Sequence, residues 1–152
     1  MSRFVLAMIA VISASGFAAQ NSSTGIEMSR TTKATNSSRV ACPWPEDLDA
    51  VKAAPLNHKV IFENEHVRVL DVTIAPHSKE PIHAHCWPST LYVQQAGESI
   101  DRDADGKILF DSRQLKVKPK VPFVLWNPPQ GPHSVENLDD LPTKLIRIES
   151  KD

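Results

Sequence analysis

From residue 59 onward, apolar and polar residues alternate with a period of two. Side chains on a strand point to opposite faces in turn, so this pattern predicts strands with one buried face. KVIFE and HVRVLDVTIA supply the first of them. TLYVQQA, KILF, PFVLW and TKLIRIE follow, separated by breaks rich in Gly, Pro and Asp. In the last run Leu145, Arg147 and Glu149 alternate with Lys144, Ile146 and Ile148. Short strands at this spacing indicate a β-sandwich or barrel.

The preceding segments read differently. Met1-Ser2-Arg3 followed by the apolar run Phe4 to Ile12 and a stretch of small residues has the layout of an export signal, taken as residues 1–18. Its apolar core is too short to span a bilayer, so no membrane partner is expected once it is cleaved. Residues 19–41 are rich in Ser, Thr and Asn and lack an apolar period, which predicts a flexible linker. Asn21 and Asn36 each open an N-x-S sequence, a glycosylation acceptor only in a eukaryotic secretory pathway. Residues 42–55 predict a short helical arm, with Pro45 at its start, Glu46, Asp47 and Asp49 in its first turns and Pro55 as a stop. Residues 56–152 form the barrel domain.

The chain has 152 residues, enough for one core, and a formal net charge of −1. That balance argues against nucleic acid or an anionic membrane as the main partner. Twelve prolines fit many short strands and shaped turns.

The chemistry lies in three histidines. His83 and His85, one residue apart, project from the same face of a strand, and His133 follows in PPQGPHSVEN. Three imidazoles make a facial site with positions left open for a ligand. The flanks of both segments resemble the cupin superfamily over roughly residues 56–149. In its first motif HxH is followed after three or four residues by Glu and then, after six more, by Gly. Here His83 and His85 fill HxH, four residues lead to Thr90 and six more to Gly97. Pro128, His133 and Asn137 match the second motif's spacing. The departures are Thr90 at the glutamate position, His77 at the first motif's opening glycine, and Pro122 and Gln130 at the second motif's glycines.

The resemblance implies an all-β, double-stranded β-helix (jelly-roll barrel) with a short N-terminal helix. It also implies a divalent ion (iron, zinc, manganese or nickel) on His83, His85 and His133, and a homodimer. Without the glutamate such an ion keeps its full charge and favours an anionic or chelating small molecule. An exported, secreted or periplasmic metal-dependent enzyme is expected, with dioxygenase chemistry if the ion is iron. The alternatives are an isomerase or lyase, or a non-catalytic ligand-binding cupin.

If Thr90 faces inward, so do Tyr92 and Gln94. Thr90 and Tyr92 are then the catalytic candidates, and Gln94, Trp87 and Trp126 line the pocket, although Trp126 suits plain core packing as well. Glu80 and Glu136 are expected to face solvent, and His58, His66 and His77 to be exposed. DRDADGK resembles the opening of a calcium loop, but Ser112 stands where its last glutamate belongs, and Asp-Gly predicts a hairpin turn. Cys42 and Cys86 are open to two readings, a disulfide or two free thiols, and no spacing rule decides between them.

Overall fold

The computed structural model describes residues 41–152. The expected signal peptide and the Ser/Thr/Asn-rich segment through residue 40, with Asn21 and Asn36, lie outside the described residues. The arm opens with a 3-10 turn over Glu46–Leu48 and one α-helical turn, α1, over Ala50–Ala53. Between them Asp49 caps the helix, its carboxylate accepting from Val51 N–H at 3.1 Å. Ala50 and Ala54 are its buried contacts.

Nine strands follow: β1 (His58–Glu63), β2 (Val67–Ile74), β3 (His83–His85), β4 (Ser89–Gln95), β5 (Ser99–Asp103), β6 (Ile108–Asp111), β7 (Phe123–Asn127), β8 (Gln130–Asn137) and β9 (Thr143–Ser150). They form two antiparallel sheets, ordered β1-β2-β9-β4-β7 and β3-β8-β5-β6. From β2 onward the chain changes sheet at every connection except the β5–β6 hairpin, which is jelly-roll topology. At that hairpin Asp103 Oδ1 accepts from the N–H groups of Asp105 and Lys107, and Gly106 takes φ +83°. The end of DRDADGK, Asp103 to Lys107, is therefore a turn, and the Asp103 carboxylate is spent on its backbone.

The register of the five-stranded sheet decides what faces the cavity. Reading from β7 through β4, β9 and β2 to β1, Leu125, Leu91, Arg147, Leu70 and Val60 lie in one row. Phe123, Val93, Leu145, Val72 and His58 lie in the next inward row. The alternate row, Trp126, Thr90, Ile148, Val69 and Phe62, lies on the outer face.

The arm is tied to the strand that carries the two adjacent histidines. Cys42 and Cys86 form a disulfide with Cα atoms 5.0 Å apart, so the two-thiol reading does not hold. Asp49 also bridges to Ala84 in parallel fashion, between His83 and His85.

Candidate metal centre

β3 and β8 lie side by side with His83 opposite His133. The ring centroids of these two residues are 4.6 Å apart, and His85 stands 5.1 Å from His83 and 5.7 Å from His133. The second motif's His133 thus reaches the HxH pair through strand pairing. A fourth imidazole joins them from the opposite sheet. His58, expected to be exposed, is only 3% exposed, with its ring 4.5 Å from His83 and 5.2 Å from His85. His58, His83 and His85 each offer a ligand atom within 4.8 Å of the others. His133 borders this trio.

Hydrogen bonds fix three of the rings. Nδ1–H of His83 donates to Pro81 O at 2.9 Å, that of His133 to Gly131 O at 2.8 Å, and that of His85 to Glu149 Oε1 at 2.7 Å. With Nδ1 protonated, each ring keeps its lone pair on Nε2. This is how metal-binding histidines are commonly oriented. Burial makes the neutral form the stable one: the His58 pKa falls to about 3 and those of His83 and His133 to about 4, with neighbouring charges adding to the burial. His85 is pushed well below its usual range, first by burial and then by the Arg147 charge. Neutral, buried, pre-oriented imidazoles are a donor set that fits a divalent transition ion.

Behind His85 runs a chain of buried charges. Glu149, 0% exposed, accepts from His85 through Oε1 and from Arg68 Nε through Oε2 at 2.5 Å. Arg68 closes a two-pronged pair with Asp49 at 3.0 and 2.8 Å, linking the arm to the imidazole. Burial, with the Asp49 charge, pushes the Glu149 pKa upward, and Arg68 and Arg147 oppose that shift.

These rings border a cavity of about 530 Å³. Glu80, expected at the surface, is 4% exposed and lines it, with Oε1 3.7 Å from His58 Nδ1. Burial raises the pKa of Glu80 to about 8 and that of Asp101, another lining carboxyl, to about 6. Arg147 lines the cavity too, and burial lowers its pKa to about 10.

The strand parity expected for β4 is reversed. Ser89, Leu91 and Val93 point inward because their row faces the second sheet, which turns Thr90, Tyr92 and Gln94 away from the cavity. Tyr92 is 40% exposed and Trp126, on the same outer face, 64% exposed. Neither is placed to touch a ligand beside the imidazoles. Trp87 also lies outside the cavity lining, with the Arg68 guanidinium carbon 4.9 Å from its ring centroid and Lys151 Nζ at 5.3 Å. His66 and His77 are exposed and hydrogen-bond to Asp152 and Asp140.

Among solved structures the chain is similar to a cupin domain from Bordetella pertussis Tohama I. The match has a TM-score of 0.52 and 19% identity, and covers 62% of this chain and 92% of that one. The fold is that of the cupins. An RmlC-like cupin family protein with a double-stranded β-helix fold, from Methanocaldococcus jannaschii, aligns with a TM-score of 0.46 and 13% identity over 62% of this chain and 78% of its own. No family model matches the sequence, and no curated protein matches it. Within the cupin fold this chain has a histidine cluster of metal-holding spacing, with no carboxylate on β4 facing it.

Proposed function

We propose that this protein is a metal-dependent enzyme acting on a small anionic or chelating molecule bound inside the barrel. The reading is carried by His83, His85 and His133, the first two of which, with His58, offer ligand atoms within 4.8 Å of one another. His83, His85 and His133 each have Nδ1–H committed to a fixed acceptor beside a cavity large enough for a ligand. His58, His83, His85 and His133 would hold the ion. A bound divalent metal supplies Lewis-acid polarisation of a substrate oxygen or, as iron, dioxygen chemistry.

The chain's own groups complete the setting. Arg147 places a buried positive charge where an anion would lie, and Glu80 Oε1 can hold or release a proton next to His58. Leu91, Val93, Phe123 and Leu125 make the inner wall apolar and limit water. Export fits this reading: the N-terminal residues have the pattern of a signal, and the Cys42–Cys86 disulfide belongs in an oxidising compartment.

The test is elemental analysis of protein purified without an affinity tag, followed by oxygen-uptake and product screens with small acids, thiols and phenols. About one equivalent of metal with turnover supports the enzyme. Metal without turnover leaves a ligand-binding cupin. No metal under any loading condition overturns the proposal.

A further inference from the structure

Arg147 is the least explained charge in the cavity. It sits mid-sheet on β9 in the row between Leu91 and Leu70, and it is 4% exposed. A guanidinium carries five N–H donors. Among the described residues one is used, from Nη2 to Gln130 Oε1 at 2.7 Å, while Nε has no hydrogen-bond partner. Its nearest anion, Glu149, is 3.7 Å away, and both oxygens of that carboxylate already accept from His85 and Arg68. A buried guanidinium with most of its donors unspent is rare unless an acceptor from outside the chain completes it. Glu80 and Asp101, the remaining carboxyls of the cavity, come from the other side of the barrel and make no ion pair with it closer than 4 Å.

The rest of the lining is of the opposite character. Leu91, Val93, Leu109, Phe110, Phe123 and Leu125 turn the side of the cavity away from the imidazoles into an apolar wall. A second cavity of about 450 Å³ shares Phe110, Phe123 and Leu125 with the first, so apolar surface continues past it. Along the row the space therefore runs from a guanidinium with unspent donors at Arg147, past Leu91, to hydrocarbon at Leu125.

We propose that the cavity binds an amphiphilic carboxylate, its anionic end on Arg147 and its apolar body along Phe110, Phe123 and Leu125. This rests on the reading of the cavity as a ligand site and names the class of molecule it takes. It does not require the ion, so the two can fail separately.

The experiment is calorimetric titration of the full chain, metal-free and zinc-loaded, with propanoate, butanoate, hexanoate and octanoate, and with hexan-1-ol and octan-1-ol as uncharged counterparts. Affinity should rise about fourfold for each added methylene. Each alcohol should bind at least about tenfold more weakly than its acid, the loss of a hydrogen bond to a charged group. Arg147→Gln should erase the preference for acid over alcohol while the chain-length slope remains; Arg147→Lys should keep part of the preference. Should Arg147→Gln fail to fold, the comparison in the unmodified protein still decides. Equal binding of acid and alcohol, a flat response to chain length, or no binding by octanoate overturns the inference. Metal content measured on the same samples reports on the ion separately. Metal without chain-length dependence defeats only this inference, and chain-length dependence without metal defeats only the metal reading.

Discussion

Replacing Glu149 by Gln tests whether the charges behind His85 serve the site. The carboxylate is wholly buried and receives two charge-assisted or strongly polarised bonds, from His85 Nδ1 at 2.7 Å and Arg68 Nε at 2.5 Å. Arg68, Arg147, Asp49 and Glu149 together balance, two positive against two negative. Glutamine preserves the volume and offers one carbonyl acceptor where there were two oxygens. Its NH₂ must then face either the His85 N–H or the Arg68 N–H, donor against donor. One lost bond to a charged group costs about 2 kcal/mol. The buried positive charge left in excess brings the total to about 4 kcal/mol, within the range for removing one member of a buried pair. For a domain of this size that lowers the thermal midpoint of the metal-free protein by roughly 15 °C. Loss of the carboxylate behind His85 should also weaken zinc binding by about 10- to 100-fold, read by competition with a chromophoric chelator. A stability loss below about 1 kcal/mol would refute the charge argument. A full stability loss with unchanged zinc affinity would show that Glu149 serves the fold alone.

Three further outcomes are expected. His58→Ala and His133→Ala should each lower metal per chain at least about tenfold with the far-ultraviolet spectrum unchanged; occupancy unaffected by one of them removes that residue from the ligand set. Thr90→Glu, the substitution that restores the usual cupin glutamate, should leave metal affinity within about twofold of the original because residue 90 faces out of the barrel. Tighter metal binding by that variant would mean that β4 can turn its other face inward. Cys42→Ser should cost about 4 kcal/mol from lost loop closure across a sequence separation of 44, and reductant should reproduce the shift in denaturant midpoint.

Much of the fold was legible because it follows from periodicity. The six alternating runs mark β1, β2, β4, β6, β7 and β9, and Asp-Gly marks the β5–β6 turn. β5 and β8 lacked that signal. β5 is SIDRD, whose buried Ile100 stands among polar residues, and β8 has Gly131 and Pro132 straight after its first residue, Gln130, which argue for a loop. Which face of β4 and of β9 points inward was not legible. On β9 the apolar Ile148 is half exposed while Arg147 and Glu149 are buried, the reverse of what polarity predicts. On β4 motif spacing favoured Thr90, yet Leu91 and Val93 are the residues that meet the second sheet. Once a strand is assigned to the wrong face, every candidate on it moves together, which is why Thr90, Tyr92 and Gln94 left the site as a group.

The inverted polarity of β9 also gives the histidine cluster a carboxylate that β4 does not. A carboxylate bound directly to an ion cancels part of its charge. This chain instead keeps a carboxylate one imidazole away: Glu149 accepts from His85 Nδ1, so its charge reaches an ion only through the ring it polarises. Burying Glu149 there requires a cation, which Arg68 supplies, and Arg68 in turn requires Asp49 from the arm. The disulfide and the Asp49–Ala84 bridge fasten that arm to the strand bearing His83 and His85. His58 was missed for a related reason. Its partners lie across the barrel, at the other end of a register that the sequence of β1 does not encode. The outward Thr90 and the buried Glu149 therefore have a single physical consequence. A divalent ion among these imidazoles would keep its positive charge, which an anionic ligand held by the unspent donors of Arg147 would offset.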